Sequence, residues 1–229
     1  MAGYKALKFI EYPDRELMLM DLADTLAGDL RNALERGDRA SFCVPGGTTP
    51  GPIFDVLSAV HLDWDRVDVM LNDERWVPES SDRSNTALLR KRLLVGPAAA
   101  AKLIPLYAPV ERAEEAMEQL SAGIEPCLPL SVLLLGMGAD MHTASLFPGA
   151  DRLEEALASD APVLLPMRAP GAAEPRITLS ARVLNGALAK HIVIMGDEKR
   201  AALEAARHLA PHKAPVASVL SGAIVHWAA

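Results

Sequence analysis

The sequence holds only two cysteines in 229 residues, Cys43 and Cys127. They lack C-x-x-C spacing and both sit in apolar stretches, so buried free thiols in a reducing compartment are expected rather than a disulfide. Apolar runs are short, and none approaches the ~20 residues a membrane-crossing helix needs. The amino-terminal stretch MAGYKALKFIEYPDRE carries basic residues without a continuous apolar segment, and acidic residues follow at once, so a secretory signal is not expected. These absences point to a cytoplasmic protein without a membrane partner. Positive charge is also in deficit: 23 Lys and Arg against 30 Asp and Glu leave a formal net charge of -7. That balance argues against nucleic acid, whose phosphates must be met by Lys and Arg. It leaves room for a local basic pocket that holds a small anion.

Several signatures are missing as well. No G-x-G-x-x-G dinucleotide turn is present, and no P-loop lysine follows the glycines. No G-x-S-x-G elbow surrounds Ser145, which weakens it as a nucleophile. No second His/Cys cluster supplies a ligand set, so no metal site is expected.

What is present is an alternation of short apolar runs with longer amphipathic ones. Strands are expected at 7–10, 40–44, 67–71, 103–107, 131–138, near 163–166, at 176–180 and at 191–196. Helices are expected at 14–36, 50–60, 84–94, 111–120, 181–188 and 197–209. In the first helix Leu17, Met20, Ala23, Leu26, Leu30 and Leu34 form the apolar stripe, with Gly37 as its C-cap. Ser84 or Asn85 caps the helix at 84–94. The tail, PVASVL (215–220) and IVHW (224–227), could add an edge strand. Near-continuous apolar strands alternating with helices mean an α/β fold, a mostly parallel sheet with helices on both faces. The length suits one core, and no repeat, low-complexity tract or linker divides the chain, so residues 1–229 read as a single domain.

Ligands of such sheets bind outside the carboxyl ends of the strands. Four chemically loaded stretches fall there: PGGTTP (45–50), NDER (72–75), GMGADMH (136–142) and GDEK (196–199). Gly46, Gly47 and Thr48 could turn amides and a hydroxyl towards an anion, or could simply form a tight turn. Asp73, Glu74 and Arg75 either face solvent or build a site, and solvation is the simpler reading. Asp140 and His142 lie two residues apart beyond the most apolar strand. The imidazole can exchange a proton with water near neutral pH, and a neighbouring carboxylate can fix its tautomer. Arg176 opens a strand. Lys199 stands in the first turn of a helix, where a cation opposes the helix dipole unless an anion is present.

Five ordered stretches, PGGTTP, NDERWVPESSDRSN, LLLGMGADMHTASLFPG, PRITLSARVLN and GDEKR, resemble the glucosamine-6-phosphate isomerase/6-phosphogluconolactonase family across roughly 150 residues. The resemblance implies a Rossmann-like domain that hydrolyses 6-phospho-D-glucono-1,5-lactone to 6-phosphogluconate without a cofactor, as a monomer or small homo-oligomer. It makes His142 the general base, with Asp140 and Asp73 shaping the site. Gly46, Gly47, Thr48, Arg75, Arg176 and Lys199 would hold the sugar phosphate, with Arg176 and Lys199 on the phosphate. Two departures matter. The family reads D-G-H where this chain has Met141, which would strain the turn if that position needs a positive φ. Glucosamine-6-phosphate deaminases place a glutamate five residues after the histidine, where this chain has Phe147. That favours hydrolysis over deamination. The other alternative, a non-catalytic sugar-phosphate sensor, would normally carry a DNA-binding module for which the chain has no spare length.

Overall fold

A computed structural model describes residues 6–229; Met1 to Lys5, part of the stretch read above for a signal, lie outside the described residues. The chain runs β1 (Lys8–Glu11), α1 (Arg15–Arg36), β2 (Ala40–Val44), α2 (Gly51–Ser58), β3 (Val67–Leu71), β4 (Asp73–Arg75) and α3 (Asn85–Arg92). It continues through β5 (Lys102–Ile104), α4 (Met117–Ile124), β6 (Val132–Gly136), α5 (Leu153–Leu157), β7 (Leu164–Met167) and β8 (Arg176–Leu179). It ends with α6 (Ala181–Asn185), β9 (Ala189–Met195), α7 (Asp197–Ala206) and β10 (Ile224–Ala228). Seven strands form one sheet in the order β1-β10-β9-β6-β2-β3-β5, and every pairing in it is parallel. All five residues of β2 and of β3 are buried. Successive side chains point to opposite faces, so the sheet is covered on both. The expected α/β architecture is therefore present. Among the described residues no helix is long and apolar enough to cross a membrane.

Three features differ from the sequence-based expectation. β10 is not an edge strand but lies between β1 and β9. A second sheet, β4-β8-β7, is antiparallel and stands apart from the first. The inward stripe of α1 is Met18, Leu22, Leu26, Leu30 and Leu34, while Leu17 and Met20 are about half exposed. The run Leu17–Met20 is apolar on every side, so its composition does not say which face is inside. Asp14 caps α1 by accepting from the Leu17 amide, and Gly37 closes it with an extended backbone. Cys43 and Cys127 are free thiols; Cys43 is buried, Cys127 only partly.

A chain of polar side chains ties α1 to the β9–β10–β1 side of the sheet. The Tyr12 hydroxyl donates to Asp21 (2.5 Å) and meets His226 Nδ1 (2.9 Å). His226 Nε2 meets His191 Nδ1 (3.0 Å), and His191 Nε2 meets Asp29 (2.8 Å). Burial, reinforced by His191 and Lys8 and opposed by Asp21 and Asp29, pushes the His226 imidazole down from 6.5 to about 4. A histidine kept neutral by folding contributes stability that is complete above its unfolded value and lost as pH falls towards its folded one. Stability should therefore decline between pH 6.5 and 4, by on the order of 3 kcal/mol from this group. Urea midpoints measured across that range should flatten in a His226→Gln variant relative to the parent. Parallel curves for the two proteins would remove His226 as the cause.

Candidate active site

From β2 the chain steps one way to β3 and β5, then returns to place β6 and β9 on the other side. The direction of winding thus reverses between β2 and β6, the point at which open α/β sheets leave a crevice. β9, β6, β2 and β3 are consecutive neighbours, and the four loaded stretches follow their carboxyl ends. A cavity of about 380 Å³ opens there. Gly46, Gly47, Thr48, Asp73, Arg75, His142, Arg176 and Lys199 all line it. Of the residues that the resemblance assigns to the site, Asp140 alone does not line it. It stands behind His142 and reaches its Nδ1 through Oδ1 at 2.5 Å.

The His142 loop is a tight turn. Gly138 N–H donates to the His142 carbonyl and Met141 N–H to the Gly138 carbonyl, each at 3.0 Å. A Cβ on Gly138 would fall 2.2 Å from His142 Nδ1 and 2.4 Å from Asp140 Oδ1, so only glycine lets the pair form. Met141 has φ 66°. This is the left-handed conformation that a glycine would adopt without strain, and methionine holds it at a cost of about 1–3 kcal/mol. The His142 ring is partly exposed, and Nε2 has no hydrogen-bond partner among the described residues.

Solvation of Asp73, Glu74 and Arg75 is overturned: they form β4, with Asp73 and Glu74 buried. The two carboxylates can be buried because each has polar partners there. Asp73 accepts from the Ser145 hydroxyl at 2.6 Å and has Arg176 Nη1 at 3.7 Å. Glu74 accepts from the amides of Asn85 (2.8 Å) and Thr86 (2.7 Å) at the start of α3. Ser84 is the N-cap of α3; Asn85, instead of capping, donates to the Asp73 carbonyl and packs against Gly46. A Cβ on Gly46 would lie 2.0 Å from Asn85, which explains that glycine by close approach, whereas Gly47 has φ 85°. Sequence reading missed Asn72, Asn85 and Phe147 as cavity residues.

The electrostatics around Arg75 and Arg176 are unusual. Arg75 and Arg176 are direct partners across the β4–β8 ladder. Directly opposed like charges are destabilising unless something intervenes. Arg75 Nη1 donates to the Arg83 carbonyl (2.6 Å), but the Nε atoms of both Arg75 and Arg176 are buried without a partner among the described residues. Burial lowers the Arg176 pKa below the usual arginine value, with Arg75 adding to the shift and Asp73 opposing it. Lys199 is partly buried in the first turn of α7, with no carboxylate paired to it among the described residues. Three cations, Arg75, Arg176 and Lys199, thus line the same cavity as the imidazole. Among the described residues no group of three or more His, Cys, Asp or Glu side chains is gathered for a metal ion.

A family model described as glucosamine-6-phosphate isomerases/6-phosphogluconolactonase matches residues 13–227. A 6-phosphogluconolactonase of Mesorhizobium japonicum is 43% identical over 217 residues, covering 93% of this chain and 90% of its own. One of Pseudomonas aeruginosa is 42% identical over 210 residues, covering 90% and 88%. The crystal structure of a 6-phosphogluconolactonase from Shewanella baltica superposes with a TM-score of 0.94 at 31% identity, covering 99% of each chain. The chain therefore belongs to the glucosamine-6-phosphate isomerase/6-phosphogluconolactonase family.

Proposed function

We propose that the protein hydrolyses 6-phospho-D-glucono-1,5-lactone to 6-phosphogluconate, with His142 as general base. The observation that carries this reading is the shared cavity: an imidazole held by a carboxylate, its Nε2 without a partner among the described residues, lines it together with Arg75, Arg176 and Lys199, and both arginines keep a buried Nε unpaired there. His142 Nε2 takes a proton from water as the oxygen attacks the lactone carbonyl. The resulting imidazolium, steadied by Asp140, returns the proton to the ring oxygen as the acyl–oxygen bond breaks. The products are a carboxylic acid, which gives its proton to solvent to become a carboxylate, and a hydroxyl on one open chain. Gly46, Gly47 and Thr48 cradle the sugar or its phosphate, and Arg75, Arg176 and Lys199 neutralise the phosphate. Asp73, held by Ser145, sets the position of Arg176 and shapes the sugar site.

Phe147 supports hydrolysis over deamination, since an apolar ring lies 4.4 Å from the His142 ring where the deaminases resembled in sequence would need a carboxylate. The test is lactone turnover by purified protein with a chelator present and spontaneous opening subtracted. Release of ammonia from glucosamine 6-phosphate, or no turnover above background, would overturn the reading.

Removing a phosphate contact should cost binding that is equal in ground and transition states. Lys199→Ala and Arg176→Ala are expected to raise KM for the phosphorylated lactone by roughly 10- to 100-fold, the range of a lost charge-assisted hydrogen bond. Neither should change KM for the unphosphorylated lactone as much. Steady-state kinetics on both substrates decides; a large kcat defect at unchanged KM would contradict the assignment.

A further inference from the structure

Phe147 has no role in the chemistry above, yet its ring touches both halves of it. Its centroid lies 4.4 Å from that of His142, with the planes tilted by 33°, and the Arg176 guanidinium carbon lies 5.8 Å from the same ring. We propose that Phe147 is a positioning residue: it fixes the tilt of His142 and holds Arg176 without neutralising it, leaving that charge for the substrate's phosphate. The proposal rests on the lactonase reading.

The segment carrying the ring is fastened immediately before it. Thr143 Oγ1 donates to the Gly136 carbonyl (2.8 Å), Ser145 is fully buried on Asp73, and Leu146 is fully buried in the core. Phe147 is thereby turned back over His142 at the cavity wall. Asp140 grips the imidazole at one atom, Nδ1. A single contact of that kind leaves the ring free to swing about it, which would carry Nε2 away from the water it must activate. Packing against the aromatic face removes that freedom. Arg176 has the complementary problem. Asp73, its nearest carboxylate, is 3.7 Å away, its Nε is unpartnered among the described residues, and Arg75 opposes it across the ladder. A π face attracts a guanidinium but does not cancel its charge or occupy its donors. A carboxylate at position 147 would do both, and would compete with the phosphate.

Three variants separate these functions, each assayed with the phosphorylated lactone after background subtraction. Phe147→Leu keeps apolar bulk but loses the ring; kcat should fall about tenfold from misplacement of the base, with KM changed by less than about threefold. Phe147→Tyr keeps the ring and should restore kcat to near the parent's value. Phe147→Glu should raise KM at least tenfold through internal competition for Arg176, an effect equivalent to about 1.4 kcal/mol. Parental kcat in Phe147→Leu, or equal losses in Phe147→Leu and Phe147→Tyr, would overturn the positioning of His142. Unchanged KM in Phe147→Glu would overturn the role towards Arg176. If the parent shows no lactone turnover, the functional reading fails instead. The affinity of parent and Phe147→Glu for inorganic phosphate, measured by calorimetry, then decides the Arg176 half, a weakened affinity supporting it and an equal one refuting it.

Discussion

Replacing His142 by alanine is expected to lower kcat for lactone hydrolysis by about 10²–10⁴-fold, the range for loss of a general base, with a much smaller change in KM. The asymmetry follows from where the imidazole sits. Its Nδ1 is engaged by Asp140 at 2.5 Å, which leaves Nε2 to meet a water in the cavity, and Arg75, Arg176 and Lys199, proposed to hold the phosphate, keep their places without it. Asp140→Asn keeps a hydrogen-bonding side chain but removes the negative charge that steadies the imidazolium. Its kcat should fall less than that of His142→Ala. The measurement is initial-rate kinetics with spontaneous lactone opening subtracted, because that background would otherwise mask the slowest variant. A His142→Ala protein that keeps sugar-phosphate affinity while even the parent fails to hydrolyse lactone would turn the reading towards a binding protein. A variant with parental kcat would remove His142 from the chemistry.

The residues that build this rim were legible in the sequence for a physical reason. A parallel sheet buried on both faces needs apolar strands, so polar and glycine-rich residues concentrate where those strands stop. β2, β3, β6 and β9 all show that break, which is why Gly46, Asp73, His142 and Lys199 could be assigned to one crevice before their contacts were known. Met141 was legible only through the resemblance: a side chain where the family has glycine would strain the turn if that position needs a positive φ, and φ is 66°. What could not be read depends on partners distant in the chain. β10 lies between β1 and β9 because residues 8–11 and 191–195 both pair with it, and a five-residue run does not announce two neighbours. The opposition of Arg75 and Arg176 arises from a ladder joining segments a hundred residues apart. The inward face of α1 was ambiguous wherever consecutive residues were all apolar, as at Leu17–Met20.

Glu74 is the sharpest case of a residue whose importance the sequence concealed, and its removal should have the largest effect on stability. Beside Asp73 and Arg75 it reads as one more surface charge; in the fold it is fully buried. Its carboxylate accepts from the Arg75 amide (2.8 Å), the Asn85 and Thr86 amides, the Thr86 hydroxyl (2.8 Å) and the Ser84 hydroxyl (3.2 Å). Two of those amides belong to the first turn of α3, where unpaired donors and the helix dipole both favour an anion. Glu74→Ala would leave these donors buried without an acceptor, so a destabilisation of roughly 3–5 kcal/mol is expected, as for other buried charges stripped of their partners. Glu74→Gln should recover only part of the loss, because its amide group would turn one acceptor into a donor facing donors. Glu79→Ala, which removes a half-exposed carboxylate paired with Arg90, should cost less than about 1 kcal/mol. Urea unfolding of the three variants tests this order. Activity gives a second readout, because Glu74 also accepts from the amides of Asn85, which packs against Gly46, and of Arg75, which lines the cavity. The folded fraction of Glu74→Ala should therefore bind the phosphorylated lactone more weakly than the parent. A Glu74→Ala protein as stable as Glu79→Ala would show that the α3 amides find other acceptors, and the link between this cap and the site would fail with it.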